Sequence, residues 1–209
     1  MLTIDGLIEK GVATFFPTPM SFFENKNLLS GIKKEILSRE VEGIESEVAK
    51  NIKHNLTESN FEFLDKDLHI FNDMKAWIYE CLKKTINSIQ QEKVDYKTSM
   101  AGSWYHITKT NGTHEPHYHA NCSWCGIYYV QAGDDDNSGD TVFRSPIQSS
   151  YIDSGSKYLD IMSNLRIKPR DGMLVLFPSF LTHYQALYKG SEDRIVIGFN
   201  ICVENLGEN

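Results

Sequence analysis

"HEPHYHANCSWCGIYYV", residues 114–130, sets three histidines and two cysteines within twelve residues and then runs into an apolar, aromatic segment. Past the histidines the pattern is that of a buried strand, with β-branched and aromatic side chains in succession. Residues two apart in an extended chain point to the same side, so His117 and His119 can reach one ion together at the rim of such a strand. Histidines on an ordinary surface loop would give the same composition. The paired spacing beside a strand favours a metal.

Toward the C-terminus, "LFPSFLTHYQ" (176–185) brings His183, a candidate third ligand, at the end of another apolar run. Arg194 opens the next apolar segment, "RIVIGFN". Its fixed charge and forked donors suit a carboxylate, with a rim salt bridge as the plain alternative. His106 and His114 share the fourteen-residue window of the pair but lie out of phase with it or beyond a turn. Cys122 and Cys125 form C-x-x-C, yet a structural zinc site needs a second pair, and Cys81 and Cys202 stand singly in apolar patterns. A dithiol redox motif should open a helix, whereas this one enters a strand. Free thiols are expected, as in a reducing compartment.

Toward the N-terminus the periodicity changes. "VATFFPTPMSFFE" (12–24) reads as a short strand and turn laid against the domain body. Leu29, Ile32, Ile36 and, less regularly, Val41 mark one amphipathic helix; Ile70, Phe71, Met74, Trp77, Ile78, Cys81, Leu82, Ile86 and Ile89 mark a clearer second one. After residue 95, strands are expected at about 99–109, 124–131, 141–144, 164–168, 173–177 and 194–203. "AGDDDNSGD" and "KPRDGM" supply turns between them. Strands joined by turns, without helices between, favour an antiparallel barrel or sandwich. The expected organisation is one domain, 1–209, with a helical part over 1–95 and a β-barrel core over 96–205.

The 209 residues suffice for one full core, and a net charge of -7 argues against nucleic acid or anionic lipid as the main partner. No apolar run reaches a bilayer-spanning length, and Asp5, Glu9 and Lys10 interrupt any leader-like stretch, so a cytoplasmic, non-membrane protein is expected. A loop over 144–163 could form part of a rim.

Taken together these segments resemble the Fe(II)- and 2-oxoglutarate-dependent oxygenases, specifically the prolyl-hydroxylase-like branch and its small oxygenases from bacteria and phages. "NGTHEPHYH" resembles the branch's G-x-x-x-x-H-x-D segment through Gly112 and His117, and "CGIYYV" the strand that follows. "SGDTVF" resembles the G-G-x-x-x-F turn and strand, "RDGMLVLFPSFLTH" the strand leading to the last iron histidine, and "EDRIVIGFN" the strand opened by the cosubstrate arginine. "FFPTPM" is similar to the opening of the small family.

The resemblance implies an α+β fold, a double-stranded β-helix (a jelly-roll or cupin-like barrel) with N-terminal helices packed on the major sheet. It implies an iron centre at His117, His119 and His183, with Arg194 and Tyr129 holding 2-oxoglutarate, and O2 as oxidant. Decarboxylation of 2-oxoglutarate to succinate would drive hydroxylation of a small molecule or protein side chain. The departure is His119, which stands where the family has an acid; Asn121 in a shifted frame or Asp140 are the other candidates for that position. A metal-binding barrel without turnover, serving as a ligand-binding or structural protein, is the rival reading.

Overall fold

The computed structural model describes residues 18–39, 53–90, 95–135, 138–146 and 164–206. The start of the "VATFFPTPM" segment, Val41 and most of the 144–163 loop lie outside these residues. Strand β1 is Ser21–Glu24, helix α1 Leu29–Leu37, β2 Lys53–Glu58, helix α2 His69–Ile89, and β3 Tyr96–His117. There follow β4 (Trp124–Gln131), β5 (Thr141–Arg144), β6 (Asn164–Ile167), β7 (Met173–Pro178), β8 (His183–Gln185) and β9 (Arg194–Asn205). Among the described residues no helix is long and apolar enough to cross a membrane.

The strands form one curled antiparallel sheet in the order β1-β7-β4-β9-β3-β8-β5-β6, with β2 paired to β3. Its curl comes from β3. Residues 96–108 of β3 pair with β9, whereas His114 and His117 pair with β8. Between those stretches Asn111 adopts φ 63, a left-handed conformation that asparagine tolerates better than most residues. The bend carries one continuous strand from the large leaf of the sheet to the small one, a half-barrel of the expected double-stranded β-helix type.

Period-two alternation then sorts the side chains into two cores. Ile195, Ile197, Phe199 and Ile201 of β9, with Leu174 and Leu176 of β7 and Tyr128 of β4, face the helices. Phe71, Met74, Ile78, Cys81 and Leu82 of α2 and Ile32 and Ile36 of α1 meet them there. Each fully buried aliphatic side chain contributes roughly 1.5–3 kcal/mol, so this helix-on-sheet layer outweighs any exposed ion pair. The opposite phase, Tyr129, Phe143, Val175, Phe177 and Val196, fills the space between the leaves, and Phe177 and Val196 line the site.

Both helices stand where the sequence puts them. The N-terminal part also contains two strands, β1 on the edge of β7 and β2 on the edge of β3. The strand expected to end at 109 continues to His117, and β8 was not expected at all.

Candidate functional site

His117 and His183 are direct cross-strand partners of β3 and β8, and His119 follows as β3 leaves the sheet, its backbone N–H donating to Ser179 O at 3.1 Å. The ligand atoms of these three imidazoles all lie within 4.8 Å of one another. His183 Nδ1 is 3.0 Å from Leu181 O, and His117 Nδ1 is 2.8 Å from Glu115 O. A carbonyl only accepts, so each Nδ1 carries the proton and each Nε2 the lone pair that a metal would take. Burial, reinforced by the neighbouring His117, lowers His183 to about 3 and His119 to about 4, which keeps both rings neutral at physiological pH.

Three imidazole nitrogen donors are the complete group among the described residues. Asp140 is not in the cluster, and neither Asp140 nor Asn121 lines the cleft. Asn121 is exposed with φ 59, and the Asp140 carboxylate faces the Arg166 guanidinium at 3.4 Å. The acid that does sit nearby is Glu58, the buried carboxylate among the described residues, whose Oε2 is 2.5 Å from His106 Nε2. Glu58 carries no local signal, because β2 reads as a polar stretch between helices. His106 and His114 also line the cleft, with the His114 ring stacked on His117 at 4.2 Å. Trp104 stacks on His119 at 5.5 Å, so an aromatic wall supports the imidazole at the acid position.

Arg194 lies at the other end of the same cleft, only 2% exposed. Its Nη1 donates to Gln185 Oε1 at 2.7 Å and its Nη2 to Thr141 Oγ1 at 3.2 Å. Both partners are neutral, and Nε has none among the described residues. A buried cation costs several kcal/mol unless an anion meets it. Burial lowers its pKa, but a guanidinium stays protonated. This end of the cleft therefore holds a buried cation that forms no ion pair with a carboxylate among the described residues.

Tyr129 is fully buried behind Thr141 rather than on the cleft wall. Its hydroxyl donates to Thr141 Oγ1 at 2.7 Å, and the Arg194 guanidinium lies over its ring at 5.4 Å. Burial raises the phenol pKa while Arg194 opposes that rise, so it remains a hydrogen-bond donor. Thr141 and Gln185, direct partners of β5 and β8, were not singled out from the sequence. Lone polar residues in short strands carry no motif, although Gln185 lies two residues after His183 and so shares its face.

The cleft encloses about 490 Å³ including its open mouth, with His117, His119 and His183 near one end and Arg194, Thr141 and Gln185 at the other. Cys125 also borders it, with Sγ 3.9 Å from Cys122 Sγ and hydrogen-bonded to Asn200 Oδ1. Burial raises both thiol pKa values, which disfavours thiolate zinc ligation.

The family model described as "Putative 2OG-Fe(II) oxygenase" matches residues 102–200. No curated protein matches the sequence. Among solved structures, a Pseudomonas putida prolyl-4-hydroxylase shares 13% identity at a TM-score of 0.59, covering 88% of this chain and 93% of its own. The viral collagen prolyl hydroxylase of Paramecium bursaria Chlorella virus-1, solved as a 2OG complex, shares 11% at 0.56, covering 87% and 94%. HygX from Streptomyces hygroscopicus, solved with nickel and 2-oxoglutarate, shares 10% at 0.58, covering 97% and 87%. At such identities the structural likeness establishes the fold. The segment matched by that family model, residues 102–200, holds all three clustered imidazoles and Arg194.

Proposed function

We propose that the protein couples the oxidative decarboxylation of 2-oxoglutarate to succinate and CO2 with the hydroxylation of a C–H bond, one oxygen atom of O2 going to each product. The observation that carries this reading is Arg194, a buried guanidinium whose hydrogen-bond partners among the described residues are neutral, in the same cleft as three clustered imidazoles. A barrel that merely stored a metal would have no use for that cation.

His117, His119 and His183 would hold Fe(II), which suits imidazole donors and, when bound, supplies the oxidative chemistry. Arg194 binds and orients the distal carboxylate of the cosubstrate. Thr141 is held by Arg194 and Tyr129, so Tyr129 acts on that carboxylate through Thr141. Phe177 and Val196 line the site and exclude water, which strengthens every charge interaction beside them.

The primary substrate is a small molecule or a protein side chain, taken up in the cytoplasm by a single-domain enzyme. The acidic net charge disfavours nucleic acid. Anaerobic reconstitution with Fe(II), followed by measurement of succinate released from 2-oxoglutarate in air, tests the reading. Uncoupled turnover above that of free iron supports it. No turnover with a fully loaded site, with any candidate substrate, leaves the non-catalytic metal-binding barrel.

A further inference from the structure

We infer that Gln185 is a specificity residue for the acidic end of the cosubstrate, its side-chain amide donating to the distal carboxylate of a 2-oxo dicarboxylic acid. The inference rests on the 2-oxoglutarate reading above and assigns a donor that the sequence motifs do not contain.

Gln185 is 6% exposed, and its amide orientation is fixed by its neighbours. Arg194 Nη1 can only donate, and it meets Gln185 Oε1 at 2.7 Å; Thr108 Oγ1 donates to the same oxygen at 3.0 Å. The amide therefore cannot flip, and Nε2 is held on the other side with no partner. Arg194 Nε is likewise buried without an acceptor. Among the described residues, two buried donors of Gln185 and Arg194 lack acceptors, beside a guanidinium that no carboxylate pairs. A carboxylate supplies both the acceptors and the charge, whereas water supplies only the former.

The position also suits the length of the ligand. Gln185 follows His183 by two residues of β8, a span of roughly 6.6 Å, the order of a short dicarboxylic acid chain held by its other end near the imidazoles. Being neutral, the amide adds a hydrogen bond without a second cation, so it matches one carboxylate to one guanidinium.

The test compares two probes on the anaerobic Fe(II) protein: 2-oxoglutarate, and 2-oxopentanoate, which keeps the 2-oxo acid but lacks the distal carboxylate. Gln185→Leu should weaken 2-oxoglutarate by roughly 10-fold to 100-fold and leave 2-oxopentanoate unchanged. Gln185→Glu, nearly isosteric and able to hold Arg194 as an ion pair, should fold as the native protein does and weaken 2-oxoglutarate further. To separate direct contact from mere support of Arg194, the side-chain amide NMR signal of Gln185 is followed in the zinc-substituted protein, assigned by its loss in Gln185→Leu. It should shift with 2-oxoglutarate and not with 2-oxopentanoate. An amide signal unmoved by 2-oxoglutarate, an equal loss for both probes, or native affinity in Gln185→Glu overturns the inference. A native protein that binds neither probe instead sinks the cosubstrate reading itself.

Discussion

The His119 and His183 rings lie nearly parallel, 20° between planes and 5.3 Å between centroids, with His117 close to both. Three imidazoles from two strand ends thus cluster with no carboxylate among the described residues in the group. His117→Ala should abolish stoichiometric Fe(II) binding with little change in fold. His183→Ala should do the same at an added stability cost of about 1–2 kcal/mol, because His183 also packs on Phe143 and Phe177. Iron content after desalting checks both. Retained stoichiometric iron in either variant removes the three-histidine centre.

The Trp104 stack makes position 119 a site for a ring. His119→Asp should therefore bind Fe(II) at least about 10-fold more weakly than native, because the shorter side chain loses both reach and packing. An increase in affinity or turnover would mean that the native centre is a weakened version of the family's acid-containing one.

Gly198 sets the depth of that aromatic wall. A Cβ there would meet the Trp104 ring at 2.6 Å, so Gly198→Ala must displace the indole that supports His119. The expected cost is about 1–3 kcal/mol in urea unfolding, with weaker iron binding alongside. Unchanged iron affinity in a destabilised variant would separate the wall from the centre.

The metal-free protein should lose stability in acid through its buried imidazoles. The folded state holds His183 at about 3 and His119 at about 4, both below the unfolded imidazole near 6.5. Between about pH 6.5 and 4 the unfolded chain takes up protons that the native rings refuse, so this contribution is complete above 6.5 and falls as pH drops. The loss should be on the order of 2–4 kcal/mol by pH 4 and smaller in His183→Phe, read from denaturant midpoints at several pH values. Equal pH slopes in native and variant would contradict it.

Much of this was legible before the structure. The two helices follow from apolar residues at spacings of three and four, and β4, β5, β7 and β9 from short apolar runs bounded by turns. The pair at 117 and 119, His183 and Arg194 could be read because strand phase and motif order act locally. What escaped depends on pairing across the fold. The polar β2 is a strand because the edge of β3 receives it, and β8 has three residues, too few for any period. The extension of β3 to His117 requires the turn at Asn111, whose polar surroundings look like a loop. Thr141 between Tyr129 and Arg194, and Glu58 on His106, are tertiary contacts with no local trace.

The most direct measurement is titration of 2-oxoglutarate into the anaerobic Fe(II) protein, followed by the metal-to-ligand absorption band, for native, Arg194→Ala, Arg194→Lys and Tyr129→Phe. Native protein should develop the band. Arg194→Ala should bind more weakly by about 2–4 kcal/mol, roughly 30-fold to 1000-fold, while iron remains bound. Arg194→Lys should recover only part, since lysine lacks the fork, and Tyr129→Phe should cost about 1 kcal/mol because it acts through Thr141. Absence of the band in the loaded native protein, or native affinity in Arg194→Ala, would contradict 2-oxoglutarate as the occupant of the cleft.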